Sequence, residues 1–283
     1  MRVVEKLPQS IRVVENIFIP LKDGSKVAAK LWMPEDAEKN PVPVVMEYIP
    51  YRKRDFTARR DAQTHAYLAG HGYASIRVDC RGGGDSDGIM YDEYLRQEIE
   101  DGGEVIGWLA KQPWSTGKVG MFGGSWGGFN SLQVAAIRPP ALKAIITVVS
   151  TDDRYADDMH YMGGAVLNDM LSWGQQFFTQ RGRPPDPEIV GARWREMWKM
   201  RLDAIHPQIA DWMTHQRRDG FWKHGSVCEN YADIQCAVYA IGGWVDGYSN
   251  AVFRLMKGLT CPKKALVGPW GHGRPHFAYP GPM

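Results

Sequence analysis

The sequence contains few cysteines, and their arrangement indicates no special use. Only four of its 283 residues are cysteines, and no two of them form a CxxC pair or another metal-ligand spacing; they are Cys80, Cys228, Cys236 and Cys261. Neither a disulfide framework nor a zinc site is indicated. We therefore expect reduced thiols that are mostly structural, and no metal.

Long apolar runs and blocks of like charge are missing as well. The sequence MRVVEKLPQSIRVVENIFIP carries charges and a proline where a signal peptide needs an uninterrupted apolar segment. The net charge is only +2, without a basic run, which does not favour binding to nucleic acid or an anionic membrane. We expect a cytoplasmic globular protein with no nucleic-acid or membrane partner, acting on a small molecule or a peptide.

What the sequence does contain is an alternation of apolar strands and amphipathic helices. Near the amino terminus, two partly alternating runs flank LKDGS, whose Asp-Gly pair predicts a β-hairpin. More continuously apolar runs such as PVPVVMEYIPY, YASIRVDCRG and LKAIITVVS then alternate with helical patterns. This order predicts an α/β fold with a mostly parallel sheet and an antiparallel hairpin at one edge.

The pattern changes between residues 151 and 235. Two stretches rich in Trp and Met are typical of helices, namely DMHYMGGAVLNDMLSWGQQFFTQRG and ARWREMWKMRLDAIHPQIADWMTHQ. Afterwards, CAVYAIGG and KKALVGPW resume the strand pattern. We interpret residues 1–150 and 236–283 as two parts of one sheet domain, and residues 151–235 as a helical cap inserted between them.

The segment MFGGSWGGFN places Ser125 in a G-x-S-x-G motif between a predicted strand and a predicted helix. This is the context of a nucleophile elbow, where flanking side chains would clash and glycines are needed. No lysine follows the glycines, and the spacing matches neither a phosphate-binding loop nor a dinucleotide fingerprint. Ser125 is therefore the candidate nucleophile.

A serine nucleophile needs a base and a carboxylate that orients it, each on a loop after a later strand. Asp246 in GGWVDGYSN and His272 in GPWGHG follow two successive strands and meet this order. Other candidates occupy less favourable positions before a strand, beside His272 or in the predicted cap: Asp233, Glu229, His276, His160, His206, His215 and His224.

Taken together, EYIPYRKRD, RVDCRGGGDSDG, WLAKQPWSTGKVGMFGGSWGG, GGWVDGYSN and GPWGHG resemble segments of the cocaine esterase, α-amino-acid ester hydrolase and Xaa-Pro dipeptidyl-peptidase family of serine hydrolases. The resemblance extends over about residues 12–276. It implies an α/β-hydrolase fold with a helical cap and a Ser125, Asp246 and His272 triad. It also implies an oxyanion hole made by the Trp126 N–H and the Tyr51 hydroxyl, and no cofactor.

The sequence departs from that family in two ways. The family motif commonly has tyrosine after the nucleophile, where this chain has Trp126. Family members also usually continue into a jelly-roll-like β domain after the catalytic histidine. We therefore expect a truncated form, a split gene product or a minimal variant of the enzyme. Exposed aromatic surface would then favour a homo-oligomer or a partner chain.

The expected reaction is hydrolysis of an ester, an amide or a peptide through an acyl-enzyme. The alternative is a module that keeps the hydrolase fold but serves in binding or assembly. The sequence defines substrate choice less well. A carboxylate cluster at the start of the cap could bind a free α-amino group, or it could form a solvated, negatively charged helix start. The cluster comprises Asp152, Asp153, Asp157 and Asp158.

The loop RVDCRGGGDSDG fits no calcium or phosphate motif, and we expect Arg81 to be ion-paired there.

Overall fold

The computed structural model describes residues 6–277, and within them the main feature is an eight-stranded sheet. Numbered along the chain, the strands are β1 (Ile11–Pro20), β2 (Lys26–Pro34), β3 (Val42–Ile49), β4 (Ala74–Asp79), β5 (Ser115–Gly124), β6 (Leu142–Val148), β7 (Tyr161–Met162), β8 (Ala165–Val166), β9 (Ala237–Gly243) and β10 (Lys263–Gly268). The sheet has the order β1-β2-β4-β3-β5-β6-β9-β10, and β7 pairs with β8 separately.

The predicted mixture of antiparallel edge and parallel sheet is confirmed. Strands β1 and β2 form the amino-terminal hairpin, and β2 also pairs antiparallel with β4, whereas all other neighbours run parallel. The hairpin turn closes where Gly24 takes φ +88°, a conformation that glycine adopts without a steric penalty. Because five parallel pairs follow, the carboxyl ends of β4, β3, β5, β6, β9 and β10 lie along one edge of the sheet.

The helices are α1 (Ala58–Gly70), α2 (Arg96–Leu109), α3 (Trp126–Ala136), α4 (Asp169–Arg181), α5 (Pro187–Val190), α6 (Trp194–Ala204), α7 (Gln208–Thr214), α8 (Gly220–Lys223) and α9 (Ser249–Gly258). Helix α1 packs on β2 and β4, α3 on β3, β5 and β6, and α9 on β9 and β10. Apolar residues of these strands and helices form the core. Among residues 6–277, no helix has both the length and the apolarity needed to span a bilayer.

The chain between β6 and β9 differs from the two helical stretches predicted there. The first stretch begins with the β7–β8 hairpin instead of a helix, because Gly163 and Gly164 turn the chain with φ values of 58° and 84°. The second is divided into α6 and α7, since Pro207 has no N–H to continue a helix. Helices nevertheless dominate the segment, as the sequence indicates.

Candidate active site

Ser125 lies at the sharp junction between β5 and α3, with φ 54° and ψ −123°. A Cβ atom on Gly123 would lie 2.4 Å from the backbone carbon of Gly127, and one on Gly127 would lie 2.6 Å from the Cγ2 atom of Ile49. Gly123 is therefore required by close backbone packing, and Gly127 by the close approach of the Ile49 side chain. The strained serine at a strand-to-helix turn has the geometry of a nucleophile elbow.

Asp246 and His272 lie on the loops that follow β9 and β10, and they meet across these loops. His272 Nδ1 is 2.8 Å from Asp246 Oδ1, and because a carboxylate only accepts, the proton is on Nδ1. The loops approach closely where Gly243 lies against the Trp270 carbonyl, which would be 1.9 Å from a Cβ at that position. Within residues 6–277, His272 makes no hydrogen bond to Ser125, so the structure contains the Asp246–His272 contact without a contact to the candidate nucleophile.

The two predicted oxyanion donors flank the serine. Burial raises the pKa of the Tyr51 phenol well above its ordinary value, and the neighbouring Ser125 side chain acts against this rise. Tyr51 therefore remains protonated and able to donate. Its ring meets the Trp126 ring edge-on at 6.1 Å, and the Trp126 N–H belongs to the first turn of α3, where N–H groups have no partner within the helix. Tyr48 instead packs against Gly102 in α2.

Glu98 is a site residue that the sequence does not reveal. This buried side chain on α2 accepts hydrogen bonds from Trp126 Nε1 at 2.6 Å, Asn130 Nδ2 at 2.9 Å and the Tyr94 N–H at 2.9 Å. Burial raises its pKa to about 7, although these hydrogen bonds act against the rise. A glutamate in an amphipathic helix is usually solvated, and only the unusual Trp126 in the motif could have suggested a polar partner here.

Tyr248 connects the catalytic histidine candidate to the segment between β6 and β9. Its hydroxyl donates to Asp158 Oδ1 at 2.9 Å, and its ring meets the His272 ring edge-on at 5.6 Å. The same ring packs edge-on against Phe129 of α3, also at 5.6 Å. Contacts with Asp158, His272 and Phe129 thus fix the position of the Tyr248 side chain.

The other three aspartates of the predicted cluster pair with arginines of the chain itself. Arg254 of α9 donates to Asp152 and to Asp157, with closest distances of 2.5 and 2.6 Å. Arg218 lies 3.0 Å from Asp153. Their charges are compensated internally, and the structure does not gather the four carboxylates into one open group.

The alternative acids and histidines are engaged elsewhere. Glu229 pairs with Arg218, Asp233 with Arg138, His206 with Asp211, and His215 with Asp219, while His160 contacts Glu93 and Asp158, His224 contacts the Tyr94 carbonyl, and His276 packs on Phe277. The aspartate pairs of His206 and His215 lie in the segment between β6 and β9, whereas Asp246 and His272 lie on the loops after β9 and β10, at the same sheet edge as Ser125.

The loop after β4 is held by ion pairs. Arg81 lies 2.7 Å from Asp101, which confirms the predicted ion pairing of this arginine. Asp85 lies 2.5 Å from the buried Lys53, and Asp87 pairs with an arginine of the helical segment. The aspartates of this loop therefore have cationic partners from the chain.

Two buried groups combine carboxylates with a histidine, the usual composition of a metal site: Glu47, Asp61 and His65, and Glu93, Asp158 and His160. Guanidinium groups already contact both. Arg60, Arg77 and Arg274 reach the first group, and Arg154 reaches the second. Arginines therefore compensate Glu47, Asp61 and Glu93, whereas Asp158 contacts His160 and the Tyr248 hydroxyl, and we interpret both groups as ion-pair and hydrogen-bond networks.

The family model of X-Pro dipeptidyl-peptidase (S15 family) matches residues 23–274. The cocaine esterase of Rhodococcus sp. (strain MB1 Bresler) is 28% identical in an alignment of length 284 that covers 92% of this chain and 49% of that protein. Among solved structures, a CocE/NonD family hydrolase from Staphylococcus aureus has a TM-score of 0.73 at 23% identity, covering 92% of this chain and 46% of the other. An α-amino acid ester hydrolase has a TM-score of 0.70 at 20% identity, covering 98% and 51%.

These likenesses identify the sheet and its helices as the α/β-hydrolase fold, as the sequence predicts. The chain spans about half the length of the relatives that it matches.

Proposed function

The chain belongs to the X-Pro dipeptidyl-peptidase (S15) family of hydrolases, and we propose that it cleaves ester or amide bonds through an acyl-enzyme on Ser125. The observation that carries this proposal is the 2.8 Å contact of His272 Nδ1 with Asp246 Oδ1, formed between loops that follow separate strands. This contact orients an imidazole at the sheet edge where the strained Ser125 also lies. The combination suits acyl transfer.

In the proposed first step, Ser125 Oγ attacks the carbonyl carbon of the substrate while its proton passes to His272 Nε2. The tetrahedral intermediate then collapses, the bond to the alcohol or amine breaks, and His272 gives the proton to that leaving group. Water attacks the acyl-enzyme by the same proton path and releases the acid. Asp246 holds the imidazole in the required tautomer throughout, with its carboxylate almost wholly buried.

The oxyanion would be held by the Tyr51 hydroxyl and the Trp126 N–H. Tyr51 suits this role because burial keeps its phenol protonated, so it donates across the working pH range. Trp126 suits it because its N–H is among the first of α3, and its indole is fixed by Glu98.

The proposed reaction requires that His272 and Ser125 come into contact on substrate binding. The His272 side chain is 46% exposed and lies between two glycines, which allow the loop to move locally. Hydrogen bonds of catalytic groups are often long before substrate binds and tighten afterwards.

Residues 151–235 would act as the cap that selects the substrate. Trp173 and Phe177 of α4 pack on the Trp126 ring at 5.8 and 5.4 Å, which supports a position over the serine. Recognition of a free α-amino group would depend chiefly on Asp158, since the other three aspartates are paired with arginines. Asp158 has no arginine partner among residues 6–277, but it is buried and contacts Tyr248 and His160. Equal turnover of a free-amine ester and its N-acetylated form would contradict this recognition.

The experiment that tests the proposed reaction compares hydrolysis of p-nitrophenyl acetate and Gly-Pro-p-nitroanilide. We expect turnover of at least one substrate by the wild type and by Ser172→Ala, a control on the exposed face of α4. Ser125→Ala should reduce turnover by a factor of about 10⁴ or more. Turnover of the acetate alone identifies an esterase, and turnover of the anilide alone identifies a dipeptidyl-peptidase.

The second candidate function is a binding or assembly module without catalysis. The lack of a His272 to Ser125 hydrogen bond within residues 6–277 is the observation that favours it. Absence of turnover with both substrates, together with a cooperative thermal transition of the protein, would support this alternative and contradict hydrolysis.

A further inference from the structure

Arg274 follows His272 by two residues, but its side chain leaves the active-site loop and enters the core. Arg274 is only 7% exposed. One terminal nitrogen contacts Glu47 Oε1, and the other donates to Thr64 Oγ1 at 3.2 Å. The guanidinium also lies 5.1 Å from the centre of the Phe122 ring, on the strand that leads to the candidate nucleophile.

The carboxylate that receives Arg274 belongs to the middle of the sheet. Glu47 on β3 is fully buried and also lies 2.9 Å from Arg60. Burial by itself would raise the pKa of Glu47, but the Arg274 guanidinium and other neighbouring cations outweigh burial and hold this pKa well below its usual range. Glu47 is therefore ionised, and Arg274 is its principal counter-charge.

The surrounding charges balance only when Arg274 is present. Arg77 lies 3.1 Å from Asp61 and 3.3 Å from Asp79, and both carboxylates are buried. Burial lowers the pKa of the nearby His65, which favours its neutral form. Lys53 contacts both Asp79 and Asp85, so three arginines and one lysine face four carboxylates, and removal of Arg274 would leave excess negative charge in the core.

The loop that carries His272 has one anchor on each side. On the amino-terminal side, the buried Trp270 accepts a hydrogen bond from the Val245 N–H at 3.2 Å. His272 itself lies between Gly271 and Gly273, and because glycine has few steric limits on its backbone angles, these two residues do little to fix the position of His272. On the carboxyl-terminal side, the chain is fixed to the core by Arg274.

We propose that Arg274 is a positioning residue, whose ion pair with Glu47 holds the loop so that His272 keeps its hydrogen bond to Asp246 and directs Nε2 toward Ser125. The proposal rests on the hydrolase function proposed above. A shift of about 1 Å in a catalytic group costs up to a hundredfold in rate, which sets the scale of the effect. Substrate binding need not change, because Arg274 is buried away from solvent.

The test uses Arg274→Met and Arg274→Lys, with Arg81→Met as the matched control, since Arg81 also pairs with two carboxylates. For the ester substrate, we expect Arg274→Met to lower kcat by about 10- to 100-fold with KM within twofold of the wild type. Arg274→Lys keeps the charge but cannot reach both Glu47 and Thr64, so its kcat should be intermediate. Arg81→Met should keep the wild-type kcat.

Glu47→Gln adds a test of the pairing itself. Because Arg274 and Glu47 act together, the double variant should lose less kcat than the product of the two single losses. Wild-type kcat in both Arg274 variants would overturn the proposal, and so would an equal loss in Arg81→Met. If Arg274→Met does not fold, the comparison of Arg274→Lys with the wild type still decides the outcome.

A spectroscopic readout separates this proposal from the hydrolase function. The Nδ1 proton of His272, bonded to Asp246, should give a downfield proton resonance that is absent from His272→Gln. We expect this resonance to weaken or disappear in Arg274→Met and to persist in Arg81→Met. Its persistence in Arg274→Met would overturn the positioning role, even for a protein without turnover. Failure of the wild type to hydrolyse any substrate would contradict only the proposed function.

Discussion

At the scale of single residues, the proposed site depends on hydrogen-bond donors whose protonation state is set by burial. The Tyr51 phenol stays protonated because burial raises its pKa, and Ser125 is its neighbour. The family resemblance implies Tyr51 and Trp126 as donors, but it does not imply the contact of Glu98 with the Trp126 indole. Helical periodicity indicates only which face of a helix carries a residue, whereas the burial of Glu98 depends on how α2 packs against α3.

Tyr51→Phe tests the proposed hydroxyl donor. Removing a single oxyanion donor typically lowers kcat by about 10²- to 10³-fold, and we expect a loss of this size with KM little changed. Tyr48→Phe is the matched control, since within residues 6–277 the buried Tyr48 hydroxyl has no hydrogen-bond partner. Steady-state kinetics with the ester substrate measure both variants, and equal kcat for Tyr51→Phe and the wild type would contradict the role of Tyr51.

The raised pKa of Glu98 predicts a specific dependence of the free energy of unfolding on pH. Its pKa is raised to about 7 by burial, so the folded protein binds a proton that the unfolded chain releases between about pH 4.5 and pH 7. The free energy of unfolding of the wild type should therefore fall relative to Glu98→Gln as pH rises through this window. A change of about 2 to 3 kcal/mol between pH 5 and pH 8 is expected from the size of the shift.

Urea unfolding of the wild type and Glu98→Gln at pH 5, 6, 7 and 8 measures this difference. The difference between the two free energies should become constant above about pH 8. A difference that does not change across the series would show that Glu98 has an ordinary pKa in the folded protein.

At the scale of elements, the sequence predicts those strands and helices whose signals are local. The hairpin, the parallel strands and the elbow each have their own signal: an Asp-Gly turn, a continuous apolar run, or glycines around a serine. The errors occur where one or two residues override a broader composition, at Gly163 with Gly164 and at Pro207. Composition alone predicts continuous helices in these regions.

Gly123→Ala tests the close packing at the elbow. Its Cβ would overlap the backbone of Gly127, which cannot move without distorting α3. We expect a loss of roughly 3 kcal/mol in the free energy of unfolding and loss of activity. Gly120→Ala on the same strand is the control, because its Cβ would lie 3.4 Å from the nearest atom, the Ala144 carbonyl oxygen. Urea unfolding measures both variants. Equal free energies of unfolding would contradict the close approach of the Gly123 and Gly127 backbones.

At the scale of the whole molecule, the sheet edge that carries the candidate triad also presents apolar surface. Trp244, Val245 and Phe253 are 59%, 79% and 51% exposed, and the Trp244 and Phe253 rings are stacked at 5.7 Å. Contiguous exposed apolar groups of this kind favour association. The sequence indicates abundant aromatic residues, but only the fold decides which of them remain exposed.

We expect the protein to self-associate through this patch in a concentration-dependent manner. Sedimentation velocity should show an increasing weight-average sedimentation coefficient with concentration for the wild type, and a smaller increase for Trp244→Ser with Phe253→Ser. Tyr67→Ser, which alters an exposed aromatic residue on α1, is the control. A wild type that remains monomeric at all concentrations would contradict this expectation.

The central claim is that Ser125 is a nucleophile activated by His272 and Asp246. Its most direct test is covalent labelling with a fluorophosphonate, followed by intact mass measurement and peptide mapping. We predict one adduct per chain on Ser125 for the wild type, none for Ser125→Ala, and labelling slowed by about 10³-fold or more for His272→Gln. A wild type that remains unlabelled, or an adduct on another residue, would contradict the claim.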